Sequence, residues 1–341
     1  MPSTTAELLD LLDLEDLDLD LFRGRQPHTT WQRTFGGQVL AQALVAGART
    51  IPERTAHSMH ALFLHAGRTD LPMIFDVERI RDGRTFSTRR VNARQHGRTI
   101  FTAELSFKNR EDGPEHSDPM PDCLPDPDRC PTLAQALEQM FGRPMPTVKE
   151  WDALDVRLAG DGSQLVDPNH VTHLSLWVRT TASLPDDRVV QRAILAYISD
   201  ISLMAGAVMP HLGSVPSGMV VNPASLDHAM WFHRTAEADC WMLYDQVSPS
   251  ASGLLGFSER IRPARFLHGP TDAGWQTHRV LLPGGGHEAG RCERPRRLSN
   301  VSAWPWHVMS SERDGGPGRV RSHRVQMSGR HRGEVTLTHA G

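Results

Sequence analysis

The sequence predicts an α+β fold made of two copies of one unit, in which a long buried helix is followed by antiparallel strands. Residues 36–50 are rich in Ala, Leu and Val and contain no charge before Arg49, which is typical of a helix buried on all sides. Four strand-like runs follow this helix, and a second helix-and-strand series begins near residue 170. With 341 residues and 39% apolar content, the chain is long enough for two such units.

The first unit is predicted to occupy residues 1–108. An amphipathic helix should begin after Thr4, which has capping-box spacing to Glu7. The runs after the central helix alternate apolar and polar residues and are predicted as strands at 57–64, 73–81, 85–95 and 98–108. Asp82-Gly83 and His96-Gly97 are predicted hairpin turns, because each supplies a glycine for positive φ.

Residues 109–169 are rich in Pro and Asp and are predicted to form a linker with one short helix at 132–141. The second unit, 170–258, then repeats the pattern of the first. Its predicted elements are a strand at 174–180, a helix from 185 to about 208, and strands at 218–232 and 240–247.

The chain changes character near Ser258. Residues 259–341 contain 14 Arg, no Lys and 7 acidic residues, and they show no sustained period of 2 or 3.6. We therefore predict a divergent, poorly ordered tail and a second unit that lacks its last strands. A reading-frame shift in an Arg-rich coding sequence explains this composition, and a divergent extension is the alternative.

Composition argues against several classes of function. No apolar run approaches the ~20 residues of a membrane-spanning helix, and the acidic N-terminus is unlike a secretory signal, so we expect a cytoplasmic protein without a membrane partner. The formal net charge of −3 argues against a nucleic-acid partner. The four cysteines, Cys123, Cys130, Cys240 and Cys292, lack CxxC spacing and are predicted to be unpaired thiols. We expect no metal and no other cofactor.

Asp200 is the first candidate catalytic residue. It lies within the predicted second helix, where its helical neighbours include no cation: Ala193, Ala196, Tyr197, Leu203, Met204 and Ala207. Desolvation raises the pKa of a carboxylate, so an Asp on an apolar face is a candidate general base. The alternative is a structural Asp that accepts a hydrogen bond from a backbone amide of a neighbouring strand.

Ser225 is the second candidate, since its hydroxyl precedes a run whose alternation predicts a strand lying against that helix. In this run His228 and His233 are five residues apart and point to opposite faces. We therefore predict two hydrogen-bonded histidines rather than a metal pair. Asp227 is interpreted as a structural partner as readily as a catalytic one.

Four motifs occur in order along the chain: Phe35-Gly36-Gly37-Gln38, Arg81-Asp82-Gly83 followed by residues 86–91, Tyr197 to Asp200, and Leu226-Asp227-His228 followed by residues 230–234. In this combination the chain resembles the acyl-CoA thioesterase II family from residue 5 to about 257. The resemblance implies a double hotdog, that is, two antiparallel sheets each wrapped around a long central helix. It also implies hydrolysis of fatty acyl-CoA to fatty acid and CoA, and a homo-oligomer.

The resemblance implies that an Asp on the second central helix, a Thr on the next strand and a Gln on the last strand orient the attacking water. Asp200 occupies the first position, and Ser225 stands where the family usually has Thr. No strand ending in Gln-Glu-Gly follows residue 258, and neither Gln276 nor Gln326 lies in such a context. The catalytic Gln is therefore not assigned.

The implied mechanism is attack of water on the thioester carbonyl, with Asp200 as base and an oxyanion held by backbone amides near the central helix. No GxSxG motif surrounds Ser225 or Ser252, which argues against a serine hydrolase. Arg89 and Arg90 are adjacent in a predicted strand, so we predict surface arginines rather than a pair binding CoA phosphates.

Two other functions stay open. The missing last strands favour a catalytically impaired homologue that binds acyl-CoA without hydrolysing it. A hotdog enoyl-CoA hydratase is suggested by Asp167-Pro168-Asn169-His170, although this tetrapeptide is better interpreted as a turn before a strand.

Overall fold

The computed structural model describes most of the chain up to residue 248 and three short strands beyond it. The described residues are 1–111, 113–114, 121, 124–144, 150–160, 172–203, 205, 224–234, 236–248, 250–251, 261–262 and 279–281. All of them lie in one compact unit, Met1–Glu288, whereas the second unit, Ala289–Gly341, lies outside the described residues. The predicted tail, 259–341, contains two described strands, at 261–262 and 279–281, and poor order in the rest of it stays a prediction.

The first repeat contains two helices and six strands. They are α1 Thr5–Leu12, β1 Glu15–Asp18, β2 Leu21–Gly24, α2 Gly36–Arg49, β3 Thr55–Phe63, β4 Met73–Asp82, β5 Phe86–Gln95 and β6 Arg98–Lys108. The predicted central helix and the four predicted strands agree with α2 and β3–β6 to within two residues. Residues 37–48 of α2 are all buried, as a helix without charge on any face requires.

The second repeat contains shorter elements. They are α3 Leu133–Phe141, β7 Leu154–Leu158, β8 Thr172–Thr180, α4 Arg188–Ser199, β9 Asp227–Trp231, β10 Met242–Ser248, β11 Ser250–Ala251, β12 Ile261–Arg262 and β13 Arg279–Leu281. The segment 109–169, predicted as a linker with one helix, contains α3 and in addition β7, which pairs with β8. Its alternating sequence LDVRL is too short to stand out from a Pro-rich surrounding. The boundaries 1–108, 109–169 and 170–258 stay a prediction.

Strand order makes the internal repeat visible. One sheet has the order β1-β2-β4-β5-β6-β3-β9, and a second has the order β13-β10-β8-β7. The second sheet therefore repeats part of the strand order of the first: β7, β8, β10 and β13 occupy the positions of β1, β2, β4 and β5. Strands β3 and β9, the first after the central helix of each repeat, pair antiparallel and join the repeats. The strand that corresponds to β6 is not found among the described residues.

One hydrophobic core is shared by the two repeats, because α2 packs directly against α4. Its buried residues come from both helices and both sheets, for example Leu44, Phe107, Leu176, Ile194 and Met230. Among the described helices, none combines the length and apolar character needed to cross a membrane. Cys130 and Cys240 are free thiols as predicted, while Cys123 and Cys292 lie outside the described residues.

The two predicted hairpin turns differ. His96 and Gly97 have φ of 48° and 74°, so the prediction of a tight turn with positive φ is confirmed between β5 and β6. Gly83 does not have positive φ, and that part of the prediction is wrong. The loop between β4 and β5 is longer and is closed by the Gly83 amide, which donates to the Phe86 carbonyl at 2.9 Å.

The predicted capping box of α1 is only half formed. The Thr4 hydroxyl accepts from the Glu7 amide at 3.1 Å, but the Glu7 carboxylate accepts from the Ser3 amide at 2.8 Å instead of returning to Thr4. A complete capping box is present in α3, where Thr132 and Gln135 exchange both hydrogen bonds.

Helix α4 is shorter than predicted, since it ends at Ser199 and not near residue 208. Ser202 has φ of 58°, a left-handed conformation that an α-helix does not tolerate. Asp200 is consequently the C-cap of α4 and not a residue on its apolar face. Strand β9 is also shorter than the predicted 218–232, of which residues 218–223 lie outside the described residues.

Arg89 is buried, with 1% of its surface exposed, so the prediction of a surface arginine is wrong for this residue. Its guanidinium donates to the Thr50 hydroxyl at 2.7 Å and pairs with Asp82 at 2.8 Å. Arg89 therefore links the C-terminal end of α2 to β4. Arg90 points to the opposite face and pairs with Glu78 and Glu104, as a surface arginine should.

Candidate active site

Asp200 lies where the two central helices meet. Its carboxylate accepts a hydrogen bond from the Gly37 amide at 3.0 Å through Oδ2, and from the Ser225 hydroxyl at 2.9 Å through Oδ1. Only 7% of the Asp200 surface is exposed. The structure thus brings together the two candidates predicted from the sequence. It adds the Gly37 amide in the first turn of α2, where the sequence indicated only unspecified backbone amides near the central helix.

Two glycines allow this close approach. A Cβ atom at Gly36 would lie 2.5 Å from Asp200 Oδ2, and a Cβ atom at Gly37 would lie 2.3 Å from the Tyr197 carbonyl oxygen. Phe35, the N-cap of α2, makes no side-chain capping hydrogen bond. Asp200 therefore caps α2 from the neighbouring repeat, at the helix end whose free amides favour a negative charge.

Burial raises the pKa of Asp200 to about 7, even though the hydrogen bonds from Ser225 and Gly37 lower it. A carboxylate with this pKa exchanges its proton near neutral pH, which a general base requires. The structural alternative is also partly correct, because Asp200 does bond a backbone amide, but that amide belongs to a helix and not to a strand.

Asp200→Asn is expected to gain stability relative to wild type as the pH rises. The pKa of Asp200 is higher in the folded protein than in the unfolded chain. The buried Asp200 therefore does not destabilise the fold when the pH is below the pKa of the unfolded chain, and its destabilising effect grows until the pH passes about 7. From pH 5 to pH 8 the free energy of unfolding of the variant should rise relative to wild type by roughly 2–3 kcal/mol. Urea titrations at both pH values measure this difference, and a difference independent of pH would contradict the raised pKa.

The turn that contains Asp200 is held by side chains of β9 and β10. His228 Nε2 lies 2.9 Å from the Ser199 hydroxyl, and the Tyr244 hydroxyl donates to the Ser199 carbonyl. Gln246 Nε2 donates to the Ser202 hydroxyl at 2.8 Å. Tyr244 and Gln246 were not identified from the sequence, since nothing local to β10 indicates that it faces this turn.

Comparison with known proteins identifies the family. The model of the acyl-CoA thioesterase N-terminal domain matches residues 25–108, and the model of the acyl-CoA thioesterase family matches residues 160–260. Acyl-coenzyme A thioesterase 8 of Homo sapiens is 36% identical over 260 residues, which are 72% of this chain and 80% of that protein. This chain belongs to the acyl-CoA thioesterase family.

Solved structures confirm the double hotdog fold of this acyl-CoA thioesterase. An acyl-CoA thioesterase II, TesB2, from Mycobacterium marinum is 40% identical and superposes with a TM-score of 0.60, covering 72% of this chain and 86% of that one. A hot dog fold protein from Alicyclobacillus acidocaldarius, 19% identical, covers the same shares with a TM-score of 0.56 and supports the fold alone.

His228 and His233 do not form a metal pair in this thioesterase. His228 is buried, and burial lowers its pKa to about 3, so it is neutral and serves as a hydrogen-bonding partner of Ser199. His233 lies beyond the end of β9 and is exposed. In the part of the chain that the structure describes, no group of His, Cys, Asp and Glu has the geometry of a metal site.

The glutamine that the family resemblance implies is not assigned. Gln276, Gln326, Ser252 and the tetrapeptide beginning at Asp167 all lie outside the described residues. The family match ends at residue 260, close to the change in composition at Ser258. Among the described residues, the candidate site consists of Asp200, Ser225 and the first turn of α2.

Proposed function

We propose that Asp200 and Ser225 activate a water molecule that hydrolyses the thioester of fatty acyl-CoA. The observation that supports this role is the buried Asp200 carboxylate, with its pKa raised to about 7, in hydrogen-bonding contact with a hydroxyl and a helix N-terminus from the other repeat. A base and donors for a developing negative charge are the two requirements of water attack on a carbonyl.

In the proposed reaction the ionised Asp200 accepts a proton from water while the water oxygen bonds to the thioester carbon. The free amides of the first turn of α2 are donors for the oxyanion of the tetrahedral intermediate. The carbon–sulfur bond then breaks, and Asp200 returns the proton to the sulfur of CoA. Ser225 orients the carboxylate or the water through its hydroxyl. A Thr has the same hydroxyl, and its methyl group restricts the side-chain rotamer.

Ser225→Ala tests this assignment. Loss of the Ser225 hydroxyl is expected to lower kcat about 10- to 100-fold, because it removes one of the two hydrogen-bond donors to Asp200. The hydroxyl lowers the pKa of Asp200, so the acidic limb of the kcat/KM profile, near pH 7 in wild type, should move to higher pH. Release of free thiol from palmitoyl-CoA measures both effects.

Ser225→Thr is the matched control, since it keeps the hydroxyl and should retain activity within about threefold. Wild-type turnover and an unchanged acidic limb in the Ala variant would exclude Ser225 from the mechanism.

A second candidate is a homologue that binds acyl-CoA without turnover. It is favoured by the end of the family match at residue 260 and by β9, which has β3 as its one partner among the described strands. Saturable binding of palmitoyl-CoA with no thiol release from folded protein would support this candidate and overturn the hydrolytic one.

The finer assignments are also proposals. Leu62 and Trp231 are exposed apolar side chains, 51% and 37% accessible, on the joined strands β3 and β9, and they support self-association into a homo-oligomer. A cytoplasmic location fits the acyl-CoA substrate. Light scattering after gel filtration tests the first proposal: a monomer at all concentrations would contradict it.

A further inference from the structure

The turn after α4 contains a strained residue next to the proposed base. Asp200 has φ of −97° and ψ of −1°, and two residues later Ser202 has φ of 58°. A non-glycine residue in the left-handed region is strained and persists only where surrounding contacts hold it. The left-handed Ser202 stops α4, so that the Asp200 carboxylate meets the N-terminus of α2.

Gln246 makes the long-range contact that holds this residue. It lies on β10, is 6% exposed, and donates from Nε2 to the Ser202 hydroxyl at 2.8 Å. The Ser202 hydroxyl in turn donates to the carbonyl of Ile201 at 2.6 Å. Tyr244 lies two residues earlier on the same face of β10 and donates a hydrogen bond to the Ser199 carbonyl. Strand β10 therefore forms hydrogen bonds with the turn on both sides of Asp200.

Packing alone does not explain a glutamine at this position. The Gln246 Oε1 atom is buried and has no hydrogen-bond partner among the described residues. A buried polar atom without a partner destabilises a fold, and an apolar side chain of similar size would avoid that loss. We attribute the presence of the amide to its nitrogen, which donates the hydrogen bond that fixes Ser202.

We propose that Gln246 is a positioning residue that, through Ser202, holds Asp200 in the geometry required for water activation. This inference rests on the proposed function of Asp200. Without the Gln246 amide, Ser202 is free to relax toward a helical φ, and the carboxylate shifts away from Gly37 and Ser225. Because those two donors lower the pKa of Asp200, its pKa should then rise further.

Gln246→Leu tests the proposal, since it removes the amide and keeps the volume. We expect kcat to fall about tenfold, KM to change less than about threefold, and the acidic limb of kcat/KM to move up by about half a pH unit. Gln95→Leu is the matched control. Gln95 is also buried and bonds the Arg68 and Leu71 carbonyls, so its loss should lower the Tm but leave kcat and the acidic limb unchanged.

Ser202→Gly separates positioning from packing. Glycine adopts positive φ without strain, so this variant needs no anchor and is expected to lose about twofold in kcat. In the Ser202→Gly background, Gln246→Leu should cost less than about twofold more. Equal losses in both backgrounds would show that Gln246 acts by packing, and would overturn the proposal.

A titration of the Asp200 carboxyl by ¹³C NMR gives a readout independent of turnover, with the signal assigned by its loss in Asp200→Asn. A higher pKa in Gln246→Leu supports the proposal, and an unchanged pKa overturns it. If Asp200→Asn turns over within about tenfold of wild type, the proposed function fails. If Ser225→Ala acts as expected but Gln246→Leu behaves like wild type, only the inference about Gln246 fails.

Discussion

Asp200→Asn is expected to lower kcat for palmitoyl-CoA about a thousandfold while leaving the fold intact. The amide has nearly the shape of the carboxylate but cannot accept a proton from water, and general base catalysis typically contributes 10²- to 10⁴-fold. The hydrogen bond from Ser225 can still be made to the amide oxygen. Thiol release under single-turnover conditions measures the chemical step directly.

The control for Asp200→Asn is Asp245→Asn. Asp245 lies on β10, where it accepts from the Ser175 hydroxyl at 2.7 Å, and it plays no part in the proposed reaction. This variant should keep kcat within about threefold of wild type. Turnover by Asp200→Asn within about tenfold of wild type would exclude Asp200 as the base.

Gly37→Ala is expected to impair both stability and catalysis. Its Cβ would lie 2.3 Å from the Tyr197 carbonyl oxygen and 2.5 Å from a carbon of the Phe35 ring, so α2 has to move away from α4. Overpacking of this kind costs about 1–3 kcal/mol, and more where backbone atoms clash. The displaced Gly37 amide would also lose its hydrogen bond to Asp200, and kcat should fall at least about a hundredfold.

Gly47→Ala on the same helix is the matched control. A Cβ at Gly47 would lie 3.4 Å from the nearest atom, on the Phe107 ring, and alanine favours a helix over glycine by about 1 kcal/mol. Thermal unfolding should show Gly47→Ala at or slightly above the Tm of wild type. Similar Tm values for the two variants would contradict a steric requirement for glycine at residue 37.

Local pattern was sufficient to predict α2 and strands β3–β6 of the first repeat, but not the short strands β1 and β2. Helix α2, which has no charge before Arg49, and the alternating strands β4–β6 are bounded by strong turn residues. The sequence within a few residues of each end therefore indicates where these elements begin and end. The end of α4 was not predictable in the same way. Its apolar run continues past Asp200, and only Gln246, distant in sequence, explains the left-handed Ser202.

Half of the candidate site was predictable. Asp200 and Ser225 were found because an acid in an apolar helix and a hydroxyl before the next strand are unusual residues in their surroundings. Gly37, Tyr244 and Gln246 act through tertiary contacts, and nothing in their neighbouring residues indicates those contacts. Arg89 lies on β5 and was mistaken for a surface residue because its partners, Thr50 at the end of α2 and Asp82 on β4, belong to other elements.

Fusion of the two repeats in one chain has an energetic consequence. Each central helix ends in a polar C-cap, but Thr50 at the end of α2 bonds the buried Arg89, whereas Asp200 at the end of α4 faces the candidate site. In a dimer of identical subunits, every buried acid would appear twice and destabilise the assembly twice. Here the unfavourable burial of a carboxylate occurs once per pair of repeats. The corresponding residue of the other repeat, Thr50, instead stabilises the fold through its hydrogen bond with Arg89.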